Sequence, residues 1–242
     1  MENEIKNNID AIKERMNRAC QKCGRNGNEV RLLMATKTVP ASIIIEAFKA
    51  GETLIGENKV QELLSKADEL SSFPHESHFI GHLQSNKIKD VIKYAHCIES
   101  IDRLDLAEKL EKKLAAENKI MDVFIQVNTS KEESKFGCTE EEAIPLVENV
   151  LKMPHLKIKG LMTIGLFSDD INLTRPCFKV LYNIRKKIDS LHLINEKDLG
   201  LSMGMSGDFE MAIEEGATIV RVGTSIFGKR VYPDSYYWNE QK

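Results

Sequence analysis

The 242-residue sequence predicts an α/β fold of the TIM, or (β/α)8, barrel class, preceded by an extra N-terminal helix. Three observations lead there. Eight β-rich segments are each followed by a helical pattern within about 200 residues, a length that suits one barrel. No Pro/Gly/Ser-rich linker or low-complexity tract marks a second domain. Residues 1–242 therefore read as a single domain, with the extra helix in 1–24 and the barrel in 30–230. Each strand also hands over to small or polar residues, as a barrel rim requires. A doubly wound open sheet is the alternative that the same alternation permits.

Residues 4–24 carry Ile5, Ile9, Ile12, Met16, Ala19 and Cys20 near helical spacing, and Gly24 stops the pattern. The apolar run in VRLLMATKTVP (30–40) is a first strand that stops at Thr36-Lys37-Thr38, and Pro40 opens a helix over 41–50. A short second strand, 53–55, ends in Gly56-Glu57-Asn58 and precedes a helix over 60–70. Strand three, 78–80, ends in Gly81-His82, with a helix over 84–94. Strand four, 97–99, ends at Ser100, and Asp102 stands where it would cap a helix running to about Asn118. Strand five is MDVFIQV (121–127). A longer loop holding Lys135-Phe136-Gly137 follows, and Thr139 with Glu142 forms the capping-box pattern of the next helix. Strand six, 156–162, ends in Thr163; residues 167–174 read as a polar loop, and Pro176 starts a helix to about Leu191. A weak strand seven, 199–202, leads through 203–208 into a helix ending at Gly216. Strand eight, TIVRV (218–222), ends in Gly223-Thr224-Ser225.

Composition narrows the function. A hydrophobic fraction of 42% and a charged fraction of 29% describe an ordinary globular protein, and a formal charge of −3 provides no basic field for nucleic acid or anionic membrane. No apolar run approaches the ~18 residues of a membrane span. The start, MENEIKNNID, lacks the features of a secretory signal, so the chain is expected to be cytoplasmic. The five cysteines are scattered, and Cys20-x-x-Cys23 has no second pair, so plain thiols stand beside a weak zinc or redox reading. The six histidines show no metal-ligand spacing on one helix face; His82, on the rim after strand three, is the one placed for a site contact.

Lys37 stands at the carboxyl end of the first strand, where sites of parallel α/β proteins form. A lysine there is either a solvated rim charge or an amine held over a pocket, where desolvation would free it for Schiff-base formation. Barrels often bind phosphate with the loops after strands seven and eight. Here these are SMGMSG (202–207) and GTS (223–225), both rich in glycine and hydroxyls. Turn chemistry alone would explain one such loop. Arg221 shares strand parity with Ile219 and Gly223 and so points into the barrel. Being buried, it needs a partner: a barrel carboxylate, or a ligand's ring nitrogen or phosphate. GTSIFGKR (223–230) nearly matches a P-loop, but Arg230 occupies the hydroxyl position and only twelve residues follow.

These residues, with ATKTVP (35–40), GENKVQEL (56–63), HFIGHLQSNK (78–87), QVNTSKEESKFG (126–137), KGLMTIG (159–165) and LSMGMSGDFEMAIEEGATIVRVGTSIFGKR (201–230), resemble the pyridoxal phosphate homeostasis proteins. That family shares the barrel of the alanine racemase N-terminal domain. Two departures stand out. Lys59 occupies a position where the family often has tyrosine, and Gly207 one where aspartate is common, with Asp208 retained. Neither falls on Lys37, Ser206, Gly223 or Thr224.

The resemblance implies that Lys37 carries pyridoxal 5′-phosphate as a Schiff base, with Ser206, Gly223 and Thr224 on the phosphate and Arg221 facing the pyridine nitrogen. Asn58 would lie near the cofactor, and Met203 would cover one ring face. The implied role is intracellular vitamin B6 homeostasis: storing, buffering or delivering the cofactor to apo pyridoxal-phosphate enzymes, as a monomer without turnover. A cationic arginine at the ring nitrogen weakens the electron sink that carbanion chemistry needs. Racemisation needs an acid/base on each substrate face. The racemases take the second from a tyrosine of an additional β-domain, whereas this chain ends twelve residues after its predicted barrel. A racemase of low activity and, further off, a Schiff-base aldolase acting on a sugar phosphate are the alternatives.

Overall fold

The computed structural model describes residues 2–166, 168 and 170–228, and in it the eight strands pair in parallel, in sequence order, with the eighth closing on the first. The strands are β1 (Arg31–Ala35), β2 (Leu54–Glu57), β3 (Glu76–Phe79), β4 (Cys97–Ile101), β5 (Met121–Gln126), β6 (Leu156–Met162), β7 (Gly200–Ser202) and β8 (Ile219–Val222). Around them lie α1 (Glu2–Lys22), α2 (Ala41–Lys49), α3 (Val60–Leu70), α4 (Ile88–Tyr94), α5 (Leu104–Glu117), α6 (Glu140–Val150), α7 (Ile171–Ser190), α8 (Phe209–Glu214) and the single turn α9 (Thr224–Phe227). Closure sets Leu33 beside Arg221, so the sheet is the barrel and not the open alternative. Among the described residues no helix is long and apolar enough to cross a membrane.

The two-residue period of the strands divides the core. Leu33, Leu54, Ile80, Cys97, Phe124, Met162 and Ile219 pack inside the barrel. Their neighbours, such as Leu32, Met34, Ile55, Ile98 and Val220, face the helices in a larger outer core. Each large side chain buried this way contributes roughly 1.5–3 kcal/mol. The apolar stripe of α1 joins the same core, with Ile5, Ile9, Ile12, Met16, Ala19 and Cys20 all buried. Asn8 donates to the Ile226 carbonyl at 2.9 Å, Arg15 pairs with Glu210, and the Arg15 guanidinium lies 4.5 Å from the centre of the Phe209 ring. The extra helix thus braces the two helices that follow β7 and β8.

Some boundaries differ from the sequence reading, for physical reasons. β2 runs on through Gly56 and Glu57, because β3 pairs with both. The residues before α4 form a 3-10 turn, Ser85–Lys87. Asp102 does not cap α5. Arg103 occupies the cap position without a side-chain capping bond, and the Asp102 carboxylate instead takes the Arg103 guanidinium at 2.7 Å. α7 begins at Ile171, five residues ahead of Pro176. The Asp170 carboxylate accepts the Asn172 N–H at 2.9 Å, and the Thr174 hydroxyl reaches the carbonyls of Asp170 and Ser168. These bonds hold the first turn despite the N–H that Pro176 lacks. The capping box at Thr139 and Glu142 forms as expected. Readings that fall on 167, 169 and 229–242, including the barrel limit at 230, lie outside the described residues. The five cysteines are free thiols.

Candidate functional site

The carboxyl ends of all eight strands share one face of the barrel, and a cavity of about 1030 Å³ opens there. Lys37 enters its wall just after β1, Asn58 after β2, Ser206 after β7, Arg221 from within β8, and Gly223 and Thr224 from its end. Six of the seven residues singled out from the sequence therefore meet in one space. Met203 does not. Ser202 points into the barrel, so strand alternation turns Met203 outward, fully buried in the helix-side core and away from the ring-face position expected for it. His82 is also absent from the cavity wall; it stacks on Phe136, ring centres 3.7 Å apart, and faces Asp102.

The turn that carries Lys37 is held from behind. Thr36 is buried and its hydroxyl donates to Glu57 Oε1 at 2.7 Å. Thr38 sits at φ +65°, a left-handed conformation that β-branched residues rarely take. Its N–H donates to Glu62 Oε2 at 2.5 Å. Lys66, itself buried, donates to the Thr36 carbonyl. Burial pushes the Glu57 carboxyl up, against the pull of the Lys66 ammonium. On the next strand, Gly81 leaves room for Asn58: a Cβ there would lie 1.9 Å from the Asn58 carbonyl oxygen. Asn58 Oδ1 is buried at the cavity wall and has no hydrogen-bond donor among the described residues.

The two late loops are stitched together. Gly204 turns the chain out of β7 at φ +90°. The Asp208 carboxylate accepts the Met205 N–H at 2.6 Å, closing the turn that presents Ser206. The Gly223 N–H in turn donates to Ser206 Oγ at 3.4 Å, which joins the loop after β7 to the end of β8. Burial moves the Asp208 carboxyl upward, opposed by the Met205 N–H and by the charge of Arg221.

Arg221 forms the cavity floor, and among the described residues it reaches a barrel carboxylate only through a hydroxyl. It lines the cavity, and it donates to Ser202 Oγ at 2.8 Å and to the Thr163 carbonyl at 2.7 Å. Ser202 passes the contact on to Glu99 Oε2 at 2.5 Å. Glu99 Oε1 lies 2.6 Å from His78 Nδ1, and His78 Nε2 lies 2.7 Å from Glu76. A histidine with a carboxylate at each ring nitrogen must donate from both, so His78 is an imidazolium. Burial alone would lower its pKa, but the two hydrogen bonds prevail and push it up to about 9. Burial would raise the Glu99 carboxyl, but the His78 bond and charge, the Arg221 charge and the Ser202 bond together hold it below the usual range. Burial lowers the Arg221 pKa, with Glu99 and Asp208 opposing, yet a guanidinium keeps its proton.

Sequence reading missed Glu57, Lys66, His78 and Glu99. For the last two a signal existed. Glu99 shares inward parity with Cys97, and His78 shares it with Ile80, so both put ionisable groups into an apolar barrel.

The alanine racemase N-terminal domain model matches residues 7–231. A pyridoxal phosphate homeostasis protein of Aquifex aeolicus is 42% identical over 224 residues, covering 93% of this chain and 97% of that one. Its human counterpart is 39% identical over 238 residues, covering 93% and 86%. Among solved structures, PipY of Synechococcus elongatus with pyridoxal phosphate bound is 31% identical, with a TM-score of 0.74 over 83% of this chain and 93% of that chain. An alanine racemase of Clostridium difficile, 13% identical with a TM-score of 0.74, covers 96% of this chain and 61% of its own, which is a likeness of fold alone. With sequence shared over nearly its whole length and the racemase barrel beneath it, the chain belongs to the pyridoxal phosphate homeostasis protein family.

Proposed function

We propose that the chain binds pyridoxal 5′-phosphate at the barrel mouth, attached through Lys37, and serves cytoplasmic pyridoxal phosphate homeostasis. In this reading it is a monomer that stores, buffers or delivers the cofactor to apo pyridoxal-phosphate enzymes. The observation that carries it is the convergence of Lys37, Asn58, Ser206, Arg221, Gly223 and Thr224 on one cavity. The residues suit the group: one primary amine, a pair of hydroxyls on stitched loops, a guanidinium, and the unpartnered Asn58 Oδ1. When bound, the cofactor supplies an aldehyde that condenses reversibly with a primary amine and releases water. Lys37 would hold that carbon, Ser206, Gly223 and Thr224 the phosphate, and Arg221 the ring nitrogen. The pyridoxal phosphate bound in PipY supports the choice of ligand.

Two features favour a carrier over a racemase. Arg221 keeps its charge at the floor and disfavours a second proton beside it, which weakens electron withdrawal through the ring. Among the described residues, no tyrosine, histidine or cysteine lines the cavity. Of the carboxylates that do, Asp208 is committed to Met205, Glu210 to Arg15, and Glu214 to Lys22 and Arg175. An acid/base for the second substrate face is therefore missing from that set.

The test is to incubate the protein with L-alanine and other amino acids in deuterated water, following Cα deuterium by NMR and enantiomers by chiral chromatography. Negligible exchange is expected, together with reactivation of an added apo pyridoxal-phosphate enzyme. Exchange on the order of 1 s⁻¹ or above would overturn the carrier in favour of a racemase. Reactivation faster than an equal amount of free cofactor achieves marks direct delivery; an equal rate marks passive buffering.

A further inference from the structure

We infer that Glu62 and Lys66 of α3, together with Glu57 of β2, form a clamp that positions Lys37 for attachment of the cofactor. The inference rests on the attachment at Lys37 proposed above. The three N–H donors of the Lys66 ammonium meet three acceptors: the Thr36 carbonyl at 2.9 Å, Glu57 Oε1 at 2.7 Å and Glu62 Oε2 at 3.0 Å. Glu62 Oε2 also takes the Thr38 N–H, and Glu57 Oε1 takes the Thr36 hydroxyl. The residue before Lys37 and the residue after it are thus both tied to one charged cluster.

Two physical points separate a positioning role from a general contribution to packing. A buried ion cluster is a poor route to stability, since apolar replacement is often neutral or better. Here its acceptors and donors go to the backbone of a single turn instead. Thr38, moreover, adopts a left-handed conformation that is costly for a β-branched residue and persists only where the surroundings over-determine it. The clamp supplies that constraint, and the strained residue adjoins the lysine whose amine must reach the cavity. None of the three clamp residues lines the cavity, so they act through Lys37 and not on the ligand.

The experiment compares two probes on the full chain: pyridoxal 5′-phosphate, and pyridoxine 5′-phosphate, which keeps the ring and phosphate but has an alcohol that cannot condense with an amine. The variants are Glu62→Ala and Lys66→Met. A Lys66→Met/Glu57→Gln pair removes the buried charges together, should the single change at Lys66 fail to fold. Loss of a charged hydrogen bond to the turn should weaken pyridoxal phosphate binding about tenfold and lower the visible absorbance of the lysine-linked cofactor. Affinity for pyridoxine phosphate should stay within about twofold of wild type. Glu62→Gln, which keeps an acceptor for Thr38, should restore the aldehyde ligand's advantage. Equal losses for both probes, or no loss for either in a folded Glu62→Ala protein, would overturn the clamp. Lys37→Ala runs alongside. If wild type prefers the aldehyde probe and Lys37→Ala keeps that preference in full, the attachment reading fails instead, and the two failures are told apart.

Discussion

The proposed attachment depends on the one amine of Lys37, and its removal is the most direct probe. Purified protein should be yellow, borohydride should fix the cofactor to the Lys37 peptide by mass spectrometry, and Lys37→Ala should lose the visible absorbance while retaining some noncovalent ligand. A normal absorbance in that variant would sink the assignment. On the phosphate side, Ser206→Ala and Thr224→Ala should each weaken pyridoxal phosphate binding by roughly 1–3 kcal/mol and leave pyridoxal, which lacks the phosphate, nearly unaffected. Equal losses for the two ligands would put the phosphate elsewhere. Lys37 and Arg221 were legible in the sequence because strand ends and strand parity are local. Met203 was misjudged one residue beyond β7, where the inward position belongs to Ser202. The clamp's ties to the Lys37 turn and the Glu99 contact were not legible, since they join residues 21 to 103 positions apart whose meeting depends on how separate strands and helices pack.

Among the elements, the loop between β7 and α8 carries the tightest geometric demand. Gly204 holds φ +90°, and a Cβ there would lie 2.5 Å from the Ala212 Cβ and 2.9 Å from the Phe209 Cα. Gly204→Ala should therefore cost at least about 1–3 kcal/mol in urea unfolding and displace Ser206, lowering affinity for pyridoxal phosphate more than for pyridoxal. Unchanged unfolding would show that α8 yields at no cost. The eight strands were readable because each apolar run ends in small or polar residues, and α1 because its stripe keeps helical spacing over about four turns. Errors arose where two local signals compete. Pro176 read as a helix start, yet the Asp170 cap set the boundary five residues earlier. Asp102 read as a cap, yet Arg103 offered it a charged partner.

Across the whole barrel runs one column of alternating charge: Arg31 and Glu76 at the amino end, His78 and Glu99 in the middle, and Ser202 and Arg221 beneath the cavity. A bulge between β4 and β5 falls at Glu99 and Ser100, where the side chain is aimed inward. The column makes stability depend on pH in a direction that its pKa values fix. His78 titrates at about 9 when folded, against an ordinary value of 6.5, so its contribution is complete below 6.5 and is lost as pH rises through 9. Glu76, held near 2 by the His78 bond against an ordinary 4.5, contributes fully above 4.5 and loses its part as pH falls toward 2. Glu99, also held low, is lost in the same direction. His78→Gln leaves the buried Glu99 without its hydrogen-bonded cation, with Arg221 behind Ser202 as the remaining charge, and should cost roughly 3 kcal/mol near neutral pH or below. The gap between wild type and variant, measured by urea unfolding from pH 6 to 10, should be widest near pH 6 and narrow progressively as wild-type His78 gives up its proton. A gap that stays constant across that range would mean that His78 is neutral in the native barrel and that Arg221 alone balances Glu99.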